Sequence, residues 1–241
     1  MGENKNELDL TIIITNYNYG QHITQCVESA LNQNTQIRKI IIVDDASTDD
    51  SMNKIKELEE KSSIIEIHLL NKNIGINGIL NQFIPKIKTK YTTMLDADDW
   101  IHPDFFKDLA QTLEDNPQKS FAYSHCNLVN WDGKFIQKGI SHTFSKELIM
   151  KKSFIPRLCI IETIALQSSL PLDTSISNGA KHHMWKKICR KNYEGILCPK
   201  ELFFYRMHSK NISGIGSRIL NDEPNKANEA ILSGYWDQSS K

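Results

Sequence analysis

Four carboxylates stand where apolar runs stop: Asp44 and Asp45 close Ile40-Ile41-Ile42-Val43, and Asp96 and Asp98 follow Thr92-Thr93-Met94-Leu95, with Asp99 adjacent. Aspartate is common wherever a chain turns, so a single one at a strand end reads as a turn residue. The run Asp96-Ala97-Asp98-Asp99 demands more, because three like charges in four residues repel unless a cation or hydrogen-bond donors neutralise them. Hard carboxylate oxygens suit Mn2+ or Mg2+, so the run points to a divalent-metal role rather than a solvated turn.

These residues need a frame to hold them. Leu10 to Thr15 is a short, β-branched, apolar run that stops at Asn16-Tyr17-Asn18-Tyr19-Gly20, as a buried parallel strand ending in a loop does. Between His22 and Asn32, Ile23, Val27, Ala30 and Leu31 fall at helical spacing, and Ile40 to Val43 completes a βαβ unit with acidic residues at its carboxyl end. Thr48 and Asp49 read as caps of a helix through Ile55 and Leu58. Ile64 to Leu70 reads as a third strand, Asn73 to Lys88 as a helix after the Gly75 turn, and Thr92 to Leu95 as a fourth strand. This alternation predicts an α/β fold with a Rossmann-like, mostly parallel sheet flanked by helices, whose ligands sit at the carboxyl ends of the strands.

The second half differs. Pro103 to Asn116 reads as an amphipathic helix, and Phe121 to Trp131 and the stretch from Phe135 flank the hairpin turn signal Asp132-Gly133. Segment 173–192 carries a Gly179 loop and a helix with Met184, Trp185, Ile188 and Cys189, and Glu201 to Met207 resembles a last strand. From Gly214 packing signals fade, and the residues from about Asn221 read as a terminal helix or the start of something truncated.

Bulk composition narrows the function classes. With 39% hydrophobic and 24% charged residues among 241, one globular α/β domain is expected. Twenty-nine basic residues balance 29 acidic ones without a long block of either sign, so no nucleic-acid partner is expected. Five cysteines form an odd set without a CxxC pair, which argues against a zinc site or a disulfide framework and fits a reducing cytoplasm. Met1 to Asp9 is polar and acidic rather than a signal peptide, and no apolar run approaches the length of a membrane span.

Thr15-Asn16-Tyr17-Asn18, Val43-Asp44-Asp45-Ala46-Ser47-Thr48-Asp49, Asn73-Ile74-Gly75 with Asn81, and Leu95-Asp96-Ala97-Asp98-Asp99 resemble, in order and spacing, the successive signatures of family-2 glycosyltransferases. Pro171-Leu172-Asp173-Thr174-Ser175-Ile176 before Met184-Trp185, and Tyr205-Arg206-Met207-His208-Ser209-Lys210-Asn211-Ile212-Ser213, are similar to that family's acceptor-side segments. The resemblance implies a GT-A fold at 10–213, with a nucleotide-binding half at 10–99 and a smaller acceptor-side hairpin and helix region at 100–213. An N-terminal extension at 1–9 and a C-terminal tail at 214–241 would lie outside it. It also implies transfer of a sugar from a nucleotide-diphosphate donor, expected to be a UDP-sugar, to a hydroxyl of a saccharide or lipid-linked acceptor, with inversion and with Mn2+ or Mg2+. The location expected is cytoplasmic, or peripheral at a membrane through the acceptor.

The same resemblance assigns roles. Thr15 and Tyr17 would line the base pocket, and Asp45, or else Asp44, would accept a hydrogen bond from a uracil-type imide. Asn81 belongs to the nucleotide-binding set, Asp96 would contact ribose or metal-bound water, Asp98 would ligate the metal between the phosphates, and His208 would be its histidine ligand.

Two departures from the family pattern stand out. The Glu-Asp pair that normally supplies the carboxylate base reads Ala180-Lys181, and Leu80 occupies a position where relatives usually carry an arginine near the diphosphate. His182 and His183 stand beside the vacancy as substitute bases, since an imidazole with a pKa of ~6.5 can take a proton at neutral pH. Lys181 would need a strongly lowered pKa to do so, of which the sequence gives no sign. A second reading is therefore a nucleotide-sugar-binding pseudoenzyme of the same fold. A phosphohydrolase with an aspartyl nucleophile fares worse, because Trp100 follows Asp99 and no phosphate-cradling glycine-rich loop exists.

Overall fold

The apolar run at the start of the chain lies inside β1 (Glu7–Asn16) of the computed structural model, which describes residues 7–176, 179–208 and 211. The strand begins at Glu7, three residues before the apolar run, because Glu7 and Leu8 already pair with Gln36 and Ile37. Its continuous apolar character follows from burial on both faces. Leu10, Ile12 and Ile14 enter one core cluster and Ile13 enters the other, as side chains alternate along the strand.

The first half follows the expected alternation. After β1 come α1 (Ile23–Leu31), β2 (Gln36–Asp44), α2 (Ser51–Glu59), β3 (Ile65–Leu69), α3 (Gly75–Phe83) and β4 (Tyr91–Asp96). The helix expected to reach Lys88 ends at Phe83. A single 3-10 turn follows at Ile84–Lys86, where Pro85 cannot donate the backbone bond that would continue the helix. At the start of α2, Asp49 accepts from Ser51 N at 3.0 Å and from Gly20 N at 2.9 Å, which ties the helix start to the loop after β1.

The second half completes the sheet in a mixed manner. It runs β5 (Trp100–Ile101), α4 (Phe105–Glu114), β6 (Phe121–Val129), β7 (Phe135–Gly139), α5 (Lys146–Lys151), β8 (Ile160–Glu162), α6 (Thr163–Gln167), α7 (Ala180–Arg190) and β9 (Gly195–Arg206). The sheet order is β3-β2-β1-β4-β8-β6-β9-β5, with β7 paired to β6. β3, β2, β1 and β4 are mutually parallel, β8 is an antiparallel wedge between β4 and β6, and β6 and β9 are parallel. The wedge lets the second half join the first half's sheet, so loops from both halves meet at the carboxyl end of β4. Among the described residues no helix is long and apolar enough to cross a membrane. The residues from Ile212 onward, including the terminal helix considered from Asn221, lie outside the described residues.

Candidate active site

The carboxyl ends of β1, β2 and β4 open onto a cavity of about 230 Å³ whose far wall comes from β6, the 153–158 loop, the start of α7 and β9. Asp44, last in β2, does not line it. Its carboxylate accepts from Asn16 Nδ2 at 2.7 Å and from Ser47 Oγ at 2.6 Å, so it fastens the β1 and β2 loops together. Asp45 does line the cavity, and accepts from the backbone N–H groups of Ile74 and Gly75 at 2.8 Å each, at the start of α3. Those bonds hold its carboxylate in one orientation. Tyr17 lies at the rim with 46% of its surface exposed, which leaves a ring face open to a ligand.

The aspartates at 96–99 do not converge. Asp96 forms an ion pair with Arg157 Nη1 at 2.8 and 3.1 Å and accepts from Thr15 Oγ1 at 3.2 Å. Asp98 meets His208 Nε2 at 2.9 Å, both residues being buried. Asp99 accepts from Arg206 N at 2.8 Å. The crowding that suggested a cation in the sequence is thus relieved by three separate partners. Among the described residues no group of three or more His, Cys, Asp or Glu is arranged to hold a metal ion. Burial raises the Asp98 pKa against the opposing hydrogen bond from His208, and lifts Asp99 well above the usual carboxylate range, with Asp98 and Asp96 adding to the shift.

Asp98 and His208 still suit a divalent ion that takes its other ligands from phosphates and water. Two neighbouring ligands at ~2.1 Å from an octahedral ion lie about 3 Å apart, close to the spacing of this oxygen and nitrogen. Asp98 lines the cavity, and His208 packs behind it against Tyr19 and Trp131.

Other expected residues fall differently. Asn81 spends its amide on the backbone of Leu172, donating to its carbonyl at 2.8 Å and accepting from its N–H at 2.7 Å, and does not line the cavity. It is a clamp between α3 and the acceptor-side segment. Leu80 is buried in the core with Ile79 and Phe83, so an arginine there would face packing rather than a phosphate. His182 lines the cavity with its Nε2 2.6 Å from the carbonyl of Ile149; the carbonyl can only accept, so Nε2 carries the proton. His183 is not among the lining residues, and burial and Lys187 lower its pKa. Lys181 lines the cavity, and burial, followed by the charge of Arg157, lowers its pKa to about 7. The lowered pKa that the sequence did not reveal is therefore present.

Two arginines organise the site without having been singled out. Arg157 sits in the apolar stretch Phe154 to Ile161, and a lone cation there is a signal that it needs a buried partner. Arg206, 2% exposed, donates through Nε to Asp98 O, through Nη2 to Gln25 and through Nη1 to Trp131 O, with its guanidinium 4.7 Å over the Trp100 ring. It fixes the backbone that carries Asp98.

Comparison with known proteins agrees with this geometry. A glycosyltransferase of Rickettsia bellii, otherwise uncharacterized, is 27% identical over 228 residues, covering 92% of this chain and 31% of that protein. The chondroitin synthase of Escherichia coli is 26% identical over 180 residues, covering 74% of this chain and 26% of that protein. The chain thus spans about a third or less of these relatives' length. Staphylococcus aureus TarS 1-349 in complex with UDP-GlcNAc superposes with a TM-score of 0.68 at 17% identity, over 95% of this chain and 73% of that one. Mannosyltransferase PcManGT from Pyrobaculum calidifontis, in complex with GDP-Man and Mn2+, gives 0.67 at 14% identity, over 98% and 71%. These neighbours share the GT-A fold. The profile of "Glycosyl transferase family 2" matches residues 11–171, two thirds of the sequence, and the chain belongs to that family of glycosyltransferases.

Proposed function

We propose that this chain transfers a sugar from a nucleoside diphosphate donor, with a UDP-sugar as the expected one, to an acceptor hydroxyl with inversion. The observation that carries the reading is the pairing of His208 with Asp98, which lines a cavity that also presents the exposed ring of Tyr17. Tyr17 would stack on the base, and the preoriented carboxylate of Asp45 would accept the imide proton. Asp98 and His208 would hold Mn2+ or Mg2+, whose positive charge would offset the charge growing on the departing diphosphate. Asp96, held by Arg157 and Thr15, stands where ribose hydroxyls or metal-bound water could donate to it.

Proton removal from the acceptor is the open step. No carboxylate lies at the start of α7, where Ala180 and Lys181 face the cavity, so the base would be His182 or the amine of Lys181. This favours, as a second reading, a donor-binding protein with little transfer. A thermal-shift screen of nucleoside diphosphates and nucleotide sugars with and without Mn2+ tests the first reading, since a ligand of the native state raises its stability. No shift with any of them would sink it. A donor shift without transfer to any acceptor would leave the second.

A further inference from the structure

We propose that the hydroxyl of Tyr19 donates a hydrogen bond to the diphosphate of the sugar donor, beside the pair formed by Asp98 and His208, so that Tyr19 is a binding residue for the leaving group. This deepens the glycosyl-transfer reading and rests on it for the identity of the ligand.

The loop after β1 holds Tyr19 from both sides. Asn18 takes a left-handed φ of 59°, which asparagine tolerates; its N–H donates to Ser47 Oγ at 2.8 Å and its Oδ1 accepts from Thr48 N at 2.7 Å. The Tyr19 carbonyl accepts from the N–H groups of His22 and Ile23 at 2.8 and 3.0 Å, where α1 begins. Gly20 N donates to Asp49, and a Cβ at position 20 would lie 2.8 Å from Ser51 N, so the chain there passes too close to α2 for another residue. With its backbone fixed, Tyr19 sets its ring edge-on against the imidazole of His208, centroids 5.6 Å apart, and lines the same cavity as Asp98. His208 is bonded to Asp98, so the phenol stands one ring away from the carboxylate that would hold the cation.

The hydroxyl is uncommitted. Among the described residues it makes no hydrogen bond, and it is not one of the unpartnered polar atoms sealed from solvent, so a ligand can reach it. Several other donors of the lining are spent: the Thr15 hydroxyl on Asp96, the Asn16 amide on Asp44 and Ser47, and the Asn211 amide on the Arg206 carbonyl. The carboxylates nearby take their hydrogen bonds elsewhere, Asp96 from Arg157, Asp98 from His208 and Asp99 from the backbone of Arg206. A phenol keeps its proton at neutral pH, and this one has no described protein acceptor for it.

A diphosphate seated on a cation at Asp98 and His208 brings anionic oxygens to this side of the cavity. A hydrogen bond to a charged acceptor is roughly twice as strong as one between neutral groups, so the phosphate is the part of the donor that gains most from the hydroxyl. The contact also supplies what position 80 does not, since Leu80 is buried in the core.

The test compares the full chain with Tyr19→Phe, using titration calorimetry for UDP in Mn2+ and in EDTA and ligand-observed NMR for uridine. The variant keeps the ring and its packing on His208, so its unfolding midpoint should match the wild type's. Its UDP affinity in Mn2+ should fall about tenfold while its uridine affinity is unchanged. The UDP binding that remains should still depend on Mn2+, because Asp98 and His208 retain their bond. Unchanged UDP affinity in Tyr19→Phe would overturn the proposal alone. Equal losses for UDP and uridine would place the hydroxyl on the nucleoside, and loss of the Mn2+ effect would make Tyr19 a support for His208; either result overturns it. A wild type that binds no UDP would overturn the donor reading and this contact with it.

Discussion

Replacing Arg206 by lysine should loosen the chain segment that carries Asp98. The guanidinium sends four hydrogen bonds, to Asp98 O and Gln25 Oε1 at 2.8 Å each, to Trp131 O at 2.5 Å and, more weakly, to Asn130 O at 3.4 Å, from a site that is 2% exposed. A lysine ammonium reaches at most part of that fork and loses the planar stacking on Trp100. Hydrogen bonds from charged donors contribute ~1.5–3 kcal/mol each, so loss of two, partly offset by relaxation, should cost about 3 kcal/mol. For a domain of this size that corresponds to a fall of roughly 6–12 °C in Tm. Urea unfolding followed by tryptophan fluorescence measures the stability, and UDP affinity in Mn2+ should fall in parallel because the backbone of Asp98 is no longer fixed. A cost under about 1 kcal/mol with unchanged UDP affinity would refute the claim that Arg206 organises the 96–99 turn.

Tyr17→Ala should weaken uridine nucleotides by about 1–3 kcal/mol in calorimetric titration, the range for stacking of bases on aromatic rings, with little change in Tm because the ring is already half exposed. Ala180→Glu with Lys181→Asp should create or increase transfer by about 10²-fold or more in a UDP-release assay if the base alone limits the rate, since both positions face the cavity; no change would place the block elsewhere. His22 is buried against Trp131, and burial, then Arg206, lowers its pKa to about 4. Its folded pKa lies below the unfolded value of ~6.5, so its contribution is present above pH ~6.5 and is lost as pH falls toward 4. His22→Phe keeps the ring and should flatten that part of the stability profile in denaturation curves at pH 7 and 4.5; an identical slope in both proteins would contradict the assignment.

The strands of the first half were legible because each is a short apolar-rich run bounded by turn residues, and the aspartates at the ends of β2 and β4 came with them. β8 was not, because three residues carry no periodicity and its place between β4 and β6 is decided by pairing with strands distant in sequence. The base-side geometry was partly legible. Sequence identified the Ala180-Lys181 replacement, but the depressed pKa of Lys181 comes first from burial and then from the charge of Arg157 in a different loop, neither of which neighbouring residues in sequence reveal. Asn81 and Asp44 read as ligand groups, yet their polar atoms are engaged by backbone and neighbouring loops, a competition that single-residue chemistry does not reveal. Leu80 read as a lost phosphate contact because alignment sees position and not direction; its side chain points into the core.

The account stands or falls on whether Asp98 and His208 hold a divalent cation beneath the donor diphosphate. Isothermal titration of UDP into the wild type and Asp98→Asn, each in Mn2+ and in EDTA, tests this most directly. The wild type should lose at least tenfold in affinity when Mn2+ is removed, equivalent to ~1.4 kcal/mol, and Asp98→Asn should bind UDP equally weakly in both conditions while unfolding at a midpoint no lower than the wild type's. Equal UDP affinity of the wild type with and without Mn2+, or an Asp98→Asn variant that keeps the full Mn2+ effect, would contradict it.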